Sequence, residues 1–482
     1  MRRKGLIIKH IAIVVVICLL MGLTAYVLRR NDGYEKNREF YTTDENYDVL
    51  FFGSSHAVMG VLPMELWHDY GITSYNLSNN GQMLPIDYWV LKDALDRQEP
   101  ELVVIDVYTL YADEKYAVME YAHGSLDPMP MSMTKIQAIM DIFPEENWQE
   151  FMIPFSLYHN RWDTMSSEFF DREASTQKGA YENNAEGTPF VEPVIKINMT
   201  VPEYTEMPET TNKTYLRKMI ELCQEEGIPV LLTAAPFNDG EHLAEWTNGA
   251  RELAQEYDVP FLNGLEADII NTNCDLYDRG HLNSSGARKW TEYLGSYIAS
   301  NYGIADKRTD ANYSDWNTDY EEYRAYKVEE INTVGDIYPL LMLLNDDEWS
   351  ACVSIKQGST AFRDNWFWEL LYNAAPVTKT GDNSQNYFCI IDNGAGTVTE
   401  RFGAMEPENI ATSFGTVMYS LDASGLAQVT LAEKPEETQA QIASQQQVNL
   451  ALTEGEESST HLGVQIWVFN HETGEVIRYA SF

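Results

Sequence analysis

An uncharged apolar run near the N-terminus constrains this chain more than any other feature. The segment Ile11–Leu28 carries no charge over eighteen positions, and with Leu6–Ile8 it is long enough to cross a bilayer core of about 30 Å. The flanking charges favour an inside N-terminus. These charges are Arg2, Arg3, Lys4, Lys9, Arg29 and Arg30. A cleaved signal peptide is the alternative, but it needs a shorter run and a small-x-small site, and no good site follows. We expect residues 1–30 to be a cytoplasmic tail and a single-pass anchor in the cell membrane, with the bulk of the chain extracytoplasmic.

The balance of charge narrows the possible partners. The 482 residues include 33 Lys and Arg against 74 Asp and Glu, which gives a formal net charge of −41. Such an acidic surface repels phosphate backbones, so nucleic acid is excluded as a partner, and docking on an anionic lipid surface is disfavoured. With 44% hydrophobic residues, the composition is that of a globular protein of two or three domains.

The first part of the ectodomain alternates predicted strands and helices. Short apolar runs predict strands at Val49–Phe52, Ser74–Leu77, Leu102–Val107, Ile228–Ala234 and Pro260–Asn263. Helical patterns lie at Pro85–Arg97, Thr211–Glu226, Glu241–Tyr257 and Ser284–Ser300. This alternation predicts an α/β domain, over residues 47–302, with a parallel sheet covered by helices on both faces. The polar residues 31–46 read as a tether.

The alternation breaks between about residues 112 and 210, a stretch rich in Met, Tyr, Phe, Trp and Pro. It is far too long for an ordinary loop, so we interpret it as a cap inserted over the carboxyl edge of the sheet, where ligands bind in open α/β folds. Polar residues 303–330 read as a linker or a peripheral segment. Residues 331–482 then mix predicted helices and strands, which indicates a C-terminal α+β domain.

Two sequence blocks carry the elements of nucleophilic catalysis. Gly53-Ser54-Ser55-His56 directly follows the first predicted strand, and Asp278 and His281 precede the last helix of the domain. A serine hydroxyl needs a base that accepts its proton. The spacing of Asp278 and His281 allows the carboxylate to hold one imidazole nitrogen while the other faces Ser55. Backbone N–H groups of Ser55 and of Gly81, after the second strand, would form the oxyanion hole.

In this order and context, residues 47–301 resemble the SGNH (GDSL-like) hydrolase superfamily. Gly53-Ser54-Ser55, Gly81 and the Asp278-x-x-His281 block match its first, second and last motifs. The resemblance implies a flavodoxin-like sheet and a Ser55–His281–Asp278 triad. The third motif departs, because Ile105-Asp106-Val107-Tyr108-Thr109 lacks the asparagine that donates to the oxyanion in that family. The Gly-Ser-Ser-His block is closer to membrane-anchored relatives of alginate acetylation and teichoic-acid D-alanylation, which implies a membrane-bound O-acyltransferase as partner.

Several polar residues near these blocks allow two interpretations. His56, next to Ser55, would point away from the nucleophile and shape the pocket; the alternative is a second base. Asp106, at the end of the third strand, is either a site carboxylate or a cap of a neighbouring helix. The cap residues His159, Arg161 and Trp162 either pack or form a surface turn, or they contact a sugar or an acyl carrier, with Trp162 stacking and Arg161 binding an anion.

The C-terminal domain carries its own resemblance. Leu462–Val476 is similar to the closing strand and turn of interleukin-like EMT inducer (ILEI/PANDER) domains, and Cys352–Lys356, followed by an aromatic helix, fits the same pattern. The resemblance, over roughly residues 328–482, implies a non-catalytic accessory module of a family in which some members bind carbohydrate; an unrelated α+β module is the alternative.

The cysteines and the spacing of polar residues say less about the fold and the function. Cys223, Cys274, Cys352 and Cys389 allow three disulfide pairings, and pairing Cys223 with Cys274 and Cys352 with Cys389 would respect the domain division. No metal site or cofactor is expected.

The sequence thus predicts an extracytoplasmic serine esterase or O-acyltransferase acting on acyl esters of cell-surface polysaccharide, with a glycan and an acyl donor as partners. A catalytically inactive scaffold that binds glycan or recruits an acyltransferase is the alternative.

Overall fold

The computed structural model describes residues 2–29, 33–158, 177–181, 207–237, 243–403, 406–423, 425–432 and 463–482, with backbone only for 2–7 and 243–245. These residues form two compact units. The sheet unit comprises the described residues of 2–181, 207–269 and 289–321. The C-terminal unit comprises 270–288 and the described residues of 322–482.

A five-stranded parallel sheet forms the centre of the sheet unit. Its strands are β1 Val49–Phe52, β2 Ser74–Asn76, β3 Leu102–Asp106, β4 Val230–Ala234 and β5 Phe261–Asn263. They lie in the order β2-β1-β3-β4-β5, all parallel, which is the flavodoxin-like order. Almost every strand residue is buried, as expected for a sheet with helices on both faces. The predicted α/β fold is confirmed.

The helices lie before, between and after these strands in the sequence. They are α1 Arg2–Leu28, α2 Tyr34–Thr42, α3 Ser55–Val58, α4 Pro63–Tyr70, α5 Leu84–Leu95, α6 Met119–Leu126, α7 Met133–Ile142, α8 Trp148–Met152, α9 Pro154–Tyr158, α10 Thr211–Glu226, α11 Leu243–Glu256, α12 Ser284–Asn301 and α13 Ser314–Thr333. Helices α5 and α10 pack against each other. Helix α12 approaches α4 closely, because a Cβ at Gly295 would lie 2.5 Å from the Tyr70 ring. The described part of the predicted cap contains α6 to α9.

Helix α1 is long and apolar enough to cross a membrane, with a mean hydropathy of 2.8 over Ile8–Leu28. Its large apolar side chains are mostly exposed, as expected for a segment that contacts lipid. The end of the helix is docked to the cap. Leu28 and Arg29 are buried, and Arg29 Nε lies 3.8 Å from Asp127 Oδ2.

The predicted tether is an ordered part of the sheet unit. Residues Tyr34–Thr42 form α2, in which Phe40 is buried among aromatic rings. The Lys36 ammonium is buried too, and it donates to the backbone carbonyl of Ser78 at 2.6 Å. The polar composition of this segment predicts a solvated tether. In the fold, however, the Lys36 ammonium bonds to a distant backbone carbonyl. Similarly, the polar segment 303–330 includes most of α13.

The C-terminal unit is an α+β unit with two antiparallel sheets. The larger sheet has the order β13-β12-β6-β7-β8 and the smaller has the order β11-β10-β9. The strands are β6 Trp349–Ile355, β7 Tyr387–Asp392, β8 Thr397–Phe402, β9 Glu408–Thr412, β10 Gly415–Leu421, β11 Ala427–Ala432, β12 Val464–Asn470 and β13 Val476–Ser481. One face of the larger sheet packs with α14 Ile337–Leu343 and α15 Asn365–Ala374, and the other packs with the smaller sheet.

The cysteines do not form the disulfides that the sequence allowed in this unit. Cys352 and Cys389 lie on neighbouring strands but face opposite sides of the sheet, in the two different cores. Their thiols are free and buried, and so is that of Cys223. Burial raises the pKa of Cys223 and of Cys389 to about 12. The alternation of side chains along a strand therefore excludes the pairing of Cys352 with Cys389.

Candidate active site

The predicted nucleophile follows β1 without an intervening loop. Gly53 has φ of 148°, and Ser55 is the first residue of α3. A Cβ added at Gly53 would lie 2.8 Å from Asp106 Cβ and 3.1 Å from Ala57 Cβ. Only glycine combines this backbone conformation with such a close approach. The turn therefore fixes Ser55 at the carboxyl edge of the sheet, where ligands bind in folds of this order.

Two polar residues that the sequence analysis missed hold this turn. The Gly53 N–H donates to Asp87 Oδ1 at 3.1 Å, and the Gly53 carbonyl accepts from the Asn79 N–H at 3.2 Å. The same Asp87 oxygen accepts from Gln82 Nε2 at 2.6 Å. Burial raises the pKa of Asp87 to about 8, so its carboxyl group is mostly protonated at neutral pH. In the sequence, Asp87 looks like an ordinary acidic residue in the first turn of a helix.

The loop after β2 lies under the cap. Gly81 has φ of 57°, and a Cβ there would lie 2.6 Å from the Tyr121 ring of α6. In the same loop, the buried Asn79 side chain donates to Ser125 Oγ, also of α6, at 3.4 Å. Helix α6 therefore packs directly on the loop that was predicted to supply an oxyanion donor.

The buried Asp106 bridges the ends of two strands. Its Oδ1 accepts from the Tyr108 N–H, and its Oδ2 accepts from the Ala235 N–H, each at 3.1 Å. Burial raises its pKa to about 6. Both oxygens are thus engaged with backbone donors, which are the contacts expected of a capping carboxylate.

His56 is buried in an aromatic cluster beside the nucleophile. Its ring stacks on Tyr108 with centroids 3.5 Å apart, and it meets Phe237 edge-on at 4.8 Å. Trp246 extends the cluster and donates from Nε1 to the Val107 carbonyl at 2.6 Å. These rings form an apolar wall immediately after Ser55, built from the ends of β1, β3 and β4.

The predicted base lies in a hairpin of the C-terminal unit. An antiparallel bridge joins Leu276 to Leu282, and Asp278 and His281 lie in the turn between them. His281 Nδ1 is 2.9 Å from both carboxylate oxygens of Asp278. The same Asp278 accepts from the N–H groups of Gly280, at 2.7 Å, and His281, at 2.9 Å. A carboxylate only accepts, so in the neutral imidazole Nδ1 carries the proton and Nε2 is the acceptor.

The structure therefore joins Asp278 to His281 and places Ser55 at the end of β1. Ser55 belongs to the sheet unit and the Asp278–His281 pair to the C-terminal unit, so their alignment is part of the proposal below. His159, Arg161 and Trp162 lie outside the described residues. Within the described residues no cluster of three His, Cys, Asp or Glu side chains could hold a metal ion. A groove of about 500 Å³ beside β5 is lined by none of the predicted site residues.

Comparison with known proteins identifies no family for this chain. No protein-family model matches the chain, and no curated protein matches it. Among solved structures, a candidate acylhydrolase from Bacteroides fragilis NCTC 9343 is similar, with 14% sequence identity and a TM-score of 0.29. The match covers 56% of this chain and 95% of that chain. A similarity of this extent carries no argument about activity.

Proposed function

We propose that this chain is a membrane-anchored, extracytoplasmic serine esterase or O-acyltransferase of the SGNH type. The observation that carries the proposal is the Asp278–His281 pair, in which the carboxylate holds Nδ1 at 2.9 Å. This arrangement fixes the imidazole tautomer that a serine nucleophile requires. The position of Ser55, directly after a buried strand of a flavodoxin-like sheet, supports its role as that nucleophile.

The proposed reaction proceeds in two halves. Ser55 Oγ attacks the carbonyl carbon of an ester while His281 Nε2 takes the hydroxyl proton, and Asp278 stabilises the imidazolium that forms. Backbone N–H groups of Ser55 and Gly81 stabilise the oxyanion. The intermediate collapses, the alcohol leaves with the proton from His281, and acyl-Ser55 remains. Water or a sugar hydroxyl then attacks the acyl carbon, with His281 as the base again, and Ser55 is released.

The substrate and the partner belong to the proposal as well. Helix α1 would hold the site at the membrane with the N-terminus inside. This placement supports an acyl ester, acetyl in our proposal, of a cell-surface polysaccharide as the substrate and a membrane-bound O-acyltransferase as the partner. We propose that the C-terminal unit is an ILEI-like domain that binds carbohydrate.

The test uses the full chain in detergent micelles, because Leu28 and Arg29 are packed against the cap. The purified protein is incubated with 4-nitrophenyl acetate, nitrophenolate release is followed, and acetylated Ser55 is sought by mass spectrometry. Ser55→Ala should lower release by about 10³-fold or more and abolish the adduct. Ser54→Ala is the matched control. Its hydroxyl is buried, with no hydrogen-bond partner among the described residues, and the variant should keep the activity.

The outcomes separate the two classes of function. Equal release by the wild type and Ser55→Ala, with no adduct in either, would contradict the enzyme and favour an inactive glycan-binding or acyltransferase-recruiting scaffold. If the adduct forms, a second incubation with a soluble polysaccharide separates the two enzymes. Transfer of the acetyl group to the polysaccharide identifies a transferase, and release of acetate identifies an esterase.

A further inference from the structure

The segment that carries His281 is anchored within the C-terminal unit by hydrogen bonds between polar side chains. Asp275, just before the hairpin, is completely buried. Its Oδ1 accepts from Asn373 Nδ2 of α15 at 2.7 Å and from Ser285 Oγ at 2.6 Å. Its Oδ2 accepts from the Asn271 N–H at 2.6 Å. One carboxylate thus ties the start of the hairpin to α12 and to a helix about a hundred residues away in the sequence.

A second set of contacts holds the other end of the hairpin. Asn345, after α14, donates from Nδ2 to Ser285 Oγ at 2.5 Å. The buried Asn283 donates from Nδ2 to the Cys274 carbonyl at 2.7 Å and lies 3.4 Å from the sulfur of Met342 in α14. The residues that follow His281 are thus connected to α14, to Asn345 just after it, and to Cys274 before the hairpin.

The two anchored ends are also joined to each other. The Asn283 N–H donates to the Asp275 carbonyl at 3.1 Å, directly below the Leu276–Leu282 bridge. The Asp278–His281 pair therefore projects from a short hairpin with both ends fixed by side chains of the C-terminal unit. The pair itself is partly exposed, with 26% of the His281 side chain and 45% of the Asp278 side chain accessible, so burial alone does not hold it in place.

We propose that Asn373 and Asn345 are positioning residues for His281. The C-terminal unit would then contribute to catalysis by orienting the base, and would not be only an appended recognition domain. This inference rests on the proposed function, in which His281 must meet Ser55. Neither asparagine touches the reacting atoms; each acts through Asp275 or Ser285. A displacement of about 1 Å in a catalytic group lowers a rate by about 10²-fold, so the loss of one partly buried hydrogen bond that holds the hairpin is expected to change the rate.

The test compares full-length variants by two measurements. Asn373→Ala removes the donor to Asp275. Asn373→Asp keeps the shape of the side chain but opposes two carboxylates. Asn470→Ala is the control, because Asn470 is a hydrogen-bonded asparagine of the same unit that accepts from the N–H groups of Glu472 and Thr473 instead. Hydrogen exchange of the peptide 276–283 reports the hairpin, and turnover of 4-nitrophenyl acetate reports the chemistry.

We expect both Asn373 variants to exchange hairpin amides about tenfold faster or more, and to lower kcat by about 10- to 100-fold with KM within twofold. Asn470→Ala should leave the exchange rate and kcat at their wild-type values, even if its melting temperature falls as far as those of the Asn373 variants. Wild-type exchange and kcat in both Asn373 variants would overturn the inference. If the wild type shows no Ser55-dependent turnover, the proposed function fails, and hairpin exchange alone then decides whether Asn373 positions the Asp278–His281 pair.

Discussion

The turn at Gly53–Ser55, which carries the proposed nucleophile, and the hairpin around His281, which carries the proposed base, are held in place by different interactions. The turn Gly53–Ser55 continues a strand in which every residue is buried, and backbone groups of Gly53 are held by Asp87 and Asn79 of the same unit. The hairpin around His281 belongs to no named strand, the Asp278 and His281 side chains are partly exposed, and half-buried asparagines distant in sequence bond to its ends. The turn combines close packing with hydrogen bonds to the Gly53 backbone, and the hairpin depends on side-chain hydrogen bonds from residues far away in the sequence.

This difference predicts different sensitivities to substitution. A turn fixed by packing should tolerate the loss of a charge but not the addition of a methyl group. A hairpin fixed by hydrogen bonds should lose function when one acceptor is replaced, even where the fold survives. Three substitutions test this contrast, in addition to the variants of Ser55 and Asn373 described above.

The largest effect is expected for Asp278→Asn. The amide still accepts from the N–H groups of Gly280 and His281, but it no longer holds the His281 tautomer, so kcat for 4-nitrophenyl acetate should fall about 10³- to 10⁴-fold. The melting temperature should change little, because Asp278 is half exposed. Asp310→Asn is the control, since Asp310 likewise accepts a backbone N–H two residues on, in an exposed turn. Full activity in Asp278→Asn would show that the pair does not serve catalysis.

A smaller effect, mainly on stability, is expected for Gly53→Ala. The new Cβ would lie 2.8 Å from Asp106 Cβ in a backbone conformation that disfavours side chains, so the free energy of unfolding should fall by roughly 1–3 kcal/mol. Gly227→Ala is the control, because Gly227 has φ of 75° and open space around it, and it should cost about 1 kcal/mol. Both are measured by urea denaturation. Equal losses would show that close packing does not define the turn.

The same contrast explains what the sequence could reveal. The five parallel strands were predictable because runs such as Leu102–Asp106 are apolar and β-branched. The Asp278–His281 contact could be predicted because the two residues are three positions apart in the sequence. The bond between Asn373 and Asp275 spans 98 residues and leaves no periodicity in the sequence. Burial of Lys36 and Asp87 was equally hidden, since each polar group is satisfied by backbone that only the fold brings near.

Strands β8 to β11 were missed for a related reason. Their residues are mostly polar or half-buried, as in Thr397–Phe402, so no continuous apolar run marks them. Their pairing is set by register with β7 and with each other. Strands marked by a hydrophobic pattern can be predicted from the sequence alone. Strands defined by pairing with distant neighbours can be identified only from the structure. The proposed active site combines one element of each kind.

The smallest effect, a dependence on pH, is expected for Asp87→Asn at the nucleophile turn. Burial raises the pKa of Asp87 from 3.8 to about 8, so the folded protein binds this proton more tightly than the unfolded chain. The stabilisation is therefore complete below about pH 4 and is lost as the pH rises towards 8, by at most about 1.4 kcal/mol per pH unit. An asparagine keeps the oxygen that accepts from Gly53 and Gln82 but has no proton to lose.

The melting temperature of Asp87→Asn should therefore rise relative to the wild type as the pH increases from 6 to 9, with little change in kcat. Asp93→Asn controls for the loss of one carboxylate from α5. It breaks the 3.1 Å ion pair with Arg97 and should lower the melting temperature by a similar amount at each pH. A difference between Asp87→Asn and the wild type that does not vary with pH would show that Asp87 is ionised in the folded protein. The turn at Gly53 would then depend on an ionised polar side chain rather than on packing, and the contrast with the hairpin around His281 would no longer hold.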